Sequence, residues 1–100
     1  CVSFAAIPAT GKRAATLHYI PCKKQLKDGD MVVLDAGVMY KGYASDVNRS
    51  FPVKGKFTEK QKELYQVVLD SQMACIEMRR PGGEWRLVHA KSLVMLPLGL

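Results

Sequence analysis

From Thr58 onward the apolar residues of this sequence recur every three or four positions; before it they come in short extended runs. That change of period sets the fold class. Leu64, Val67, Val68, Ser71, Cys75 and Met78 share the spacing of one helical face. Thr58-Glu59-Lys60-Gln61 reads as a capping box, the Thr hydroxyl and the Gln side chain satisfying free amides at the helix start. The helix is expected to run to about Arg79 and to stop before Pro81-Gly82-Gly83. A second, shorter amphipathic helix is expected from near Glu84, through Leu87, Val88, Lys91 and Leu93, ended by Pro97 and Gly99.

Ahead of Thr58 the chain reads as strands and turns. Cys1 to Ile7 is an expected short apolar strand, Pro8 to Arg13 a loop, and Leu17-His18-Tyr19-Ile20 a second extended piece halted by Pro21. Lys23 to Asp30 is polar and closes on the turn signal Asp28-Gly29-Asp30. Met31-Val32-Val33-Leu34-Asp35 is the clearest strand, rich in β-branched residues. It is expected to turn through Ala36 to Ala44 into a partner strand that reaches about Phe51, where Pro52 limits pairing. The expected class is α+β, an antiparallel sheet with one long and one shorter helix.

The 100 residues bound this to one domain at most, a size that buries roughly 60–70% of the unfolded surface. With 48% hydrophobic and 24% charged residues the composition is that of ordinary water-facing domains, and no apolar run approaches the ~20 residues that span a bilayer. The 15 basic residues, giving a formal charge of +6, are scattered along the chain. They read as a solvated surface rather than a nucleic-acid footprint, since no Arg-rich stripe alternates with stacking aromatics. Cys1, Cys22 and Cys75 form no Cys-x-x-Cys pair and are odd in number, which argues against a disulfide scaffold and for a reducing compartment. The start at Cys1 reads as that of a piece of a longer product, whose targeting segment would lie outside it.

Asp35 is the residue that asks for an explanation, because a carboxylate inside an apolar strand is costly unless its charge is compensated. With the hairpin tip between Tyr40 and Lys41, Asp35 falls opposite Asp46, β-carbons about 5 Å apart. Facing like charges repel unless one is protonated or a cation lies between them, and such a pair of oxygens suits a hard divalent ion such as Mn²⁺. The alternative is that Asp46 sits at an exposed strand end beside Arg49 while Asp35 caps a turn at Gly37. Spacing alone leaves both open.

A longer ordered string narrows the choice. Asp35-Ala36-Gly37, Tyr40-Lys41-Gly42-Tyr43, Ser45-Asp46, Arg49, Phe51-Pro52-Val53 and Gly55-Lys56-Phe57-Thr58, with Gln61, Glu63-Leu64-Tyr65, Val68-Leu69, Gln72 and the upstream His18-Tyr19, resemble the aminopeptidase P signature. This is the Xaa-Pro branch of the pita-bread metallopeptidases, and the resemblance covers about residues 9–83. It implies an incomplete pita-bread fold, with residues 1–100 a fragment from the N-terminal half of the catalytic domain and no complete second domain. It further implies a manganese-dependent aminopeptidase in which two Mn²⁺ ions activate a water that removes an N-terminal residue preceding proline. Asp35 and Asp46 fall on the family's metal-ligand aspartates, and His18 on the histidine that contacts substrate. The implied partner is a peptide with proline at its second position, and the closest branch is the mitochondrial type, with the cytosolic type as the alternative.

The sequence also departs from that pattern. The family draws one His and two Glu ligands from further downstream, and neither Glu77, Glu84 nor His89 is placed to replace them. On this reading the isolated chain is inactive. Arg13 and Cys22 stand where Asn is common, and residues 84–100 drift from the family's helix pattern. The alternative reading is a pita-bread domain that has lost catalysis and binds protein or nucleic acid; a blander one is an inactive truncated product with an exposed apolar face. The apolar side of the Thr58 helix calls for a cover, either further chain or a second subunit in a homodimer.

Overall fold

A computed structural model describes residues 1–21 and 23–99; Cys22, expected to be an ordinary small side chain, lies outside the described residues. The chain divides into two compact units, residues 1–57 and a second beginning at Thr58. That boundary is the point where the hydrophobic period changes.

The first unit is built on an antiparallel sheet of three strands, β1 (Ile7–Thr10), β2 (Met31–Ala36) and β5 (Val47–Pro52), in the order β1-β2-β5. Between β2 and β5 a two-stranded ribbon, β3 (Met39–Tyr40) and β4 (Tyr43–Ala44), carries the chain around. Its two-residue turn, Lys41-Gly42, has positive φ at both positions (48° and 83°), as a type I′ hairpin requires. Burial is deepest at Ala9, Val32 and Pro52, one on each strand of the sheet.

Two expectations for the first unit need correction. The opening strand is Ile7–Thr10, not residues 1–7; of the earlier run Ile7 begins that strand and Val2 is bridged to Val38. Pro8 is accommodated because β1 is an edge strand. Gly11, at φ 54°, turns the chain into a 3₁₀ segment, Gly11–Ala15. Residues 17–20 are not extended: they leave that segment through a turn in which His18 itself adopts φ 52°, and Leu17 and Ile20 are exposed.

The second unit is a pair of helices, α1 (Glu59–Glu77) and α2 (Trp85–Gly99). The capping box at Thr58 is present in full: the Gln61 amide donates to Thr58 Oγ1 at 3.2 Å, and the Thr58 amide donates to Gln61 Oε1 at 3.0 Å. The helices run antiparallel, with the Cys75 thiol donating to the Val88 carbonyl at 3.5 Å near the turn and Val67 lying against Gly99 at the other end. Leu64 and Val68, expected on the inward face, are more than half exposed; Ser71 is buried, and Tyr65, Val67, Leu69, Ala74, Cys75 and Met78 are among the half-buried positions. Pro97 does not end α2. It lies in the last turn, where its missing N–H removes a single intrahelical bond, and the helix continues to Gly99.

Candidate metal centre

Asp35 lies on the central strand of the sheet, with Ile7 of β1 on one side and Asn48 of β5 on the other. The expected pairing of Asp35 with Asp46 is therefore displaced by two residues, because the hairpin tip falls between Lys41 and Gly42 rather than between Tyr40 and Lys41. Asp46 itself lies just ahead of β5, two positions before the Asn48 that pairs with Asp35. Diagonal neighbours of this kind remain within reach of one another. The Asp46 carboxylate stays within hydrogen-bonding range of Asp35 despite the shifted register.

The chain between the two aspartates is drawn unusually close. The Ser45 amide donates to the Val38 carbonyl at 2.8 Å, and the Val38 amide donates to Ser45 Oγ at 3.0 Å. From the amino-terminal segment, the Ser3 amide donates to the Gly37 carbonyl at 3.1 Å, and the Ser3 hydroxyl donates to the Ser45 carbonyl at 2.9 Å. A Cβ on Gly37 would overlap the Ser45 carbonyl and the Ser3 hydroxyl and come within 2.9 Å of the Phe4 ring, so only glycine permits this approach. Ser3, Gly37 and Ser45 thus set the spacing of the carboxylates. The residue order held a signal for two of them, glycine two positions after one aspartate and serine immediately before the other, but nothing that joined Ser3 to either.

The electrostatics follow from this geometry. Oδ1 of Asp35 is buried and has no hydrogen-bond partner, a rare condition for a carboxylate oxygen. The Asp35 carboxyl is held above its ordinary range, first by desolvation, then by its hydrogen bond to Asp46 and by the Asp46 charge; positive charge at His18 acts in the other direction. His18, although exposed in its turn, is therefore near enough for its charge to be felt at Asp35. A divalent cation would satisfy the orphaned oxygen and reverse the repulsion, so the two carboxylates fit such an ion. Among the described residues no third His, Cys, Asp or Glu joins them in a metal-holding cluster. Glu77, Glu84 and His89 all lie in the second unit.

The family model described as metallopeptidase family M24 matches residues 1–96. The chain belongs to that family. The match runs well into α2, past the point where the resemblance of the bare sequence fades. Among M24 relatives the chain is 44% identical over 95 residues to Xaa-Pro aminopeptidase 3 of Dictyostelium discoideum, which covers 95% of this chain and 18% of that protein. To the Xaa-Pro aminopeptidase of Escherichia coli it is 45% identical over 80 residues, 80% of this chain and 18% of that one. A solved structure of Zn-substituted E. coli aminopeptidase P in complex with product superposes with a TM-score of 0.91 at 39% identity, over 99% of this chain and 22% of that one. The fold is accordingly a portion of the pita-bread fold of aminopeptidase P. The chain spans about a fifth of the length of the M24 proteins it matches.

Proposed function

We propose that this chain supplies the aspartate half of the catalytic centre of a Xaa-Pro aminopeptidase. In this reading Asp35 and Asp46 hold divalent metal, a pair of manganese ions in the intact enzyme, and His18 contacts the peptide. The observation that carries it is the buried, partnerless Oδ1 of Asp35 beside the carboxylate of Asp46. Similarity to proteins named Xaa-Pro aminopeptidase supports a peptide substrate with proline in second place. The relative solved with zinc and product supports a divalent ion working on a peptide.

Bound divalent metal supplies Lewis acidity and lowers the pKa of water. The residues of this chain contribute position and charge. β2 and the Gly37–Ser45 approach keep the two carboxylates close together, where their combined negative charge attracts a cation. His18, on its exposed turn, brings a donor to the edge of that site. Residues 1–100 belong in this reading to the N-terminal half of the catalytic domain, and the remaining His and two Glu ligands come from elsewhere in a longer protein. The mitochondrial compartment, with the cytosol as alternative, is part of the same proposal and is checked by fractionating cells that express a tagged copy.

The test is Mn²⁺-dependent release of the first residue from an Xaa-Pro peptide by the full-length protein. Asp35→Asn and Asp46→Asn should each abolish turnover and weaken Mn²⁺ binding by at least about tenfold, and His18→Ala should lower turnover with metal binding retained. The hundred-residue polypeptide alone should show no turnover. Full activity in both aspartate variants would sink the reading. A protein that binds Mn²⁺ but hydrolyses no peptide would point instead to the binding module.

A further inference from the structure

Five of the fifteen basic residues gather around one hollow, drawn from two separate stretches of the sequence. Lys12 and Arg13, on the 3₁₀ segment, and Lys23, Lys24 and Lys27, from the loop that precedes β2, line one open concavity of about 660 Å³. One carboxylate, Asp30, faces these five cations, seated against Gly11 so closely that a Cβ there would stand 3.0 Å from its Oδ2. Among the described residues none of the five forms an ion pair; the two pairs present are Lys54 with Asp28 and Arg86 with Glu84. Thr10, at the edge of the concavity, pairs with Val32, three residues or about 10 Å along β2 from Asp35.

Five unpaired cations around one hollow repel one another, and a multivalent anion is what relieves that repulsion. The shape and chemistry of the lining select among anions. Among the described residues that line the hollow none carries an aromatic ring on which a base could stack, as single-stranded nucleic acid would need; Tyr19 lines an adjoining hollow that shares Arg13 and Lys24. It is a concavity ringed by cations, unlike the flat basic and apolar face that rests on a lipid surface. A lone phosphate would engage two or three of the cations and leave the rest unrelieved. Arg13, half-buried, offers a planar fork to one phosphate while the exposed lysines act as mobile point charges around its neighbours.

We propose that this concavity binds a short free oligophosphate, two or three linked phosphate groups, through Lys12, Arg13, Lys23, Lys24 and Lys27. The site does not depend on the peptidase reading, and its test does not use peptide hydrolysis. Sodium tripolyphosphate is titrated calorimetrically into the full-length protein at about 50 mM and about 300 mM salt. Saturable binding should appear at the lower salt and weaken at the higher. The double variant Lys24→Glu, Lys27→Glu should lose at least about tenfold in affinity. The double variant Lys60→Glu, Lys62→Glu, which removes the same charge from α1, should stay within about twofold. All four lysines are exposed, so both variants keep the fold, which circular dichroism verifies. Equal losses in the two variants would reduce the effect to bulk charge and overturn the proposal. So would inorganic monophosphate binding as tightly as tripolyphosphate, or no binding to tripolyphosphate alongside binding to phosphatidylserine vesicles.

Discussion

Asp35 is a carboxylate held where, without a cation, it is unwelcome. Its pKa is raised, so the folded chain takes up its proton more readily than the unfolded chain does. The cost of keeping Asp35 charged is therefore absent below the unfolded value near 3.8, grows as pH rises, and is complete above the folded value. Asp35→Asn should accordingly raise the Tm of the metal-free protein at neutral pH, and the gain should shrink as pH falls towards the ordinary carboxylate range. Melting curves in EDTA across that pH range check it; a lower Tm for the variant at neutral pH would contradict it. With Mn²⁺ present the order should invert, because wild type gains binding energy that the variant forfeits. Gly37 is the second decisive residue. Gly37→Ala should cost at least about 2 kcal/mol, read from denaturant unfolding, since the new methyl group meets backbone rather than a movable side-chain end.

Among the elements, the helix start was the most legible. Thr58 and Gln61 satisfy each other's amides as their spacing requires, and Thr58→Ala should lower stability by about 1 kcal/mol with the sheet unaffected, measurable as a Tm shift. The strand Met31–Ala36 was equally plain, because β-branched residues crowd one short run. The hairpin register was not, since Tyr40-Lys41 and Lys41-Gly42 are neighbouring candidates for the tip. What decides between them is the φ of Lys41, a non-glycine residue that adopts a left-handed conformation. The turn at 17–20 was misread for a related reason. Leu-His-Tyr-Ile has strand composition, but among the described residues it joins neither sheet, and composition does not report which neighbours a segment will find. Of the candidate site, the two aspartates and His18 stand out in the sequence as residues out of place or in a family string; Ser3 does not, because its bond to Ser45 spans 42 positions.

At the scale of the molecule, apolar exposure is high: Leu17, Ile20, Tyr43 and Leu98 are each more than 80% exposed. The hundred-residue polypeptide on its own should therefore bind a hydrophobic dye such as ANS and self-associate at micromolar concentration, and sedimentation as a dye-negative monomer would contradict this. No helix among the described residues is long and apolar enough to cross a membrane. The two aspartates belong to one β-hairpin closed by a two-residue turn, and what it pairs with outside itself, β1 and the segment around Ser3, is earlier chain already made. Closing so short a loop carries a small entropic penalty, and hairpins of this kind form within microseconds. The acidic claw is thus assembled almost as soon as the ribosome has released it, ready to capture an ion while later parts of the polypeptide are still being made.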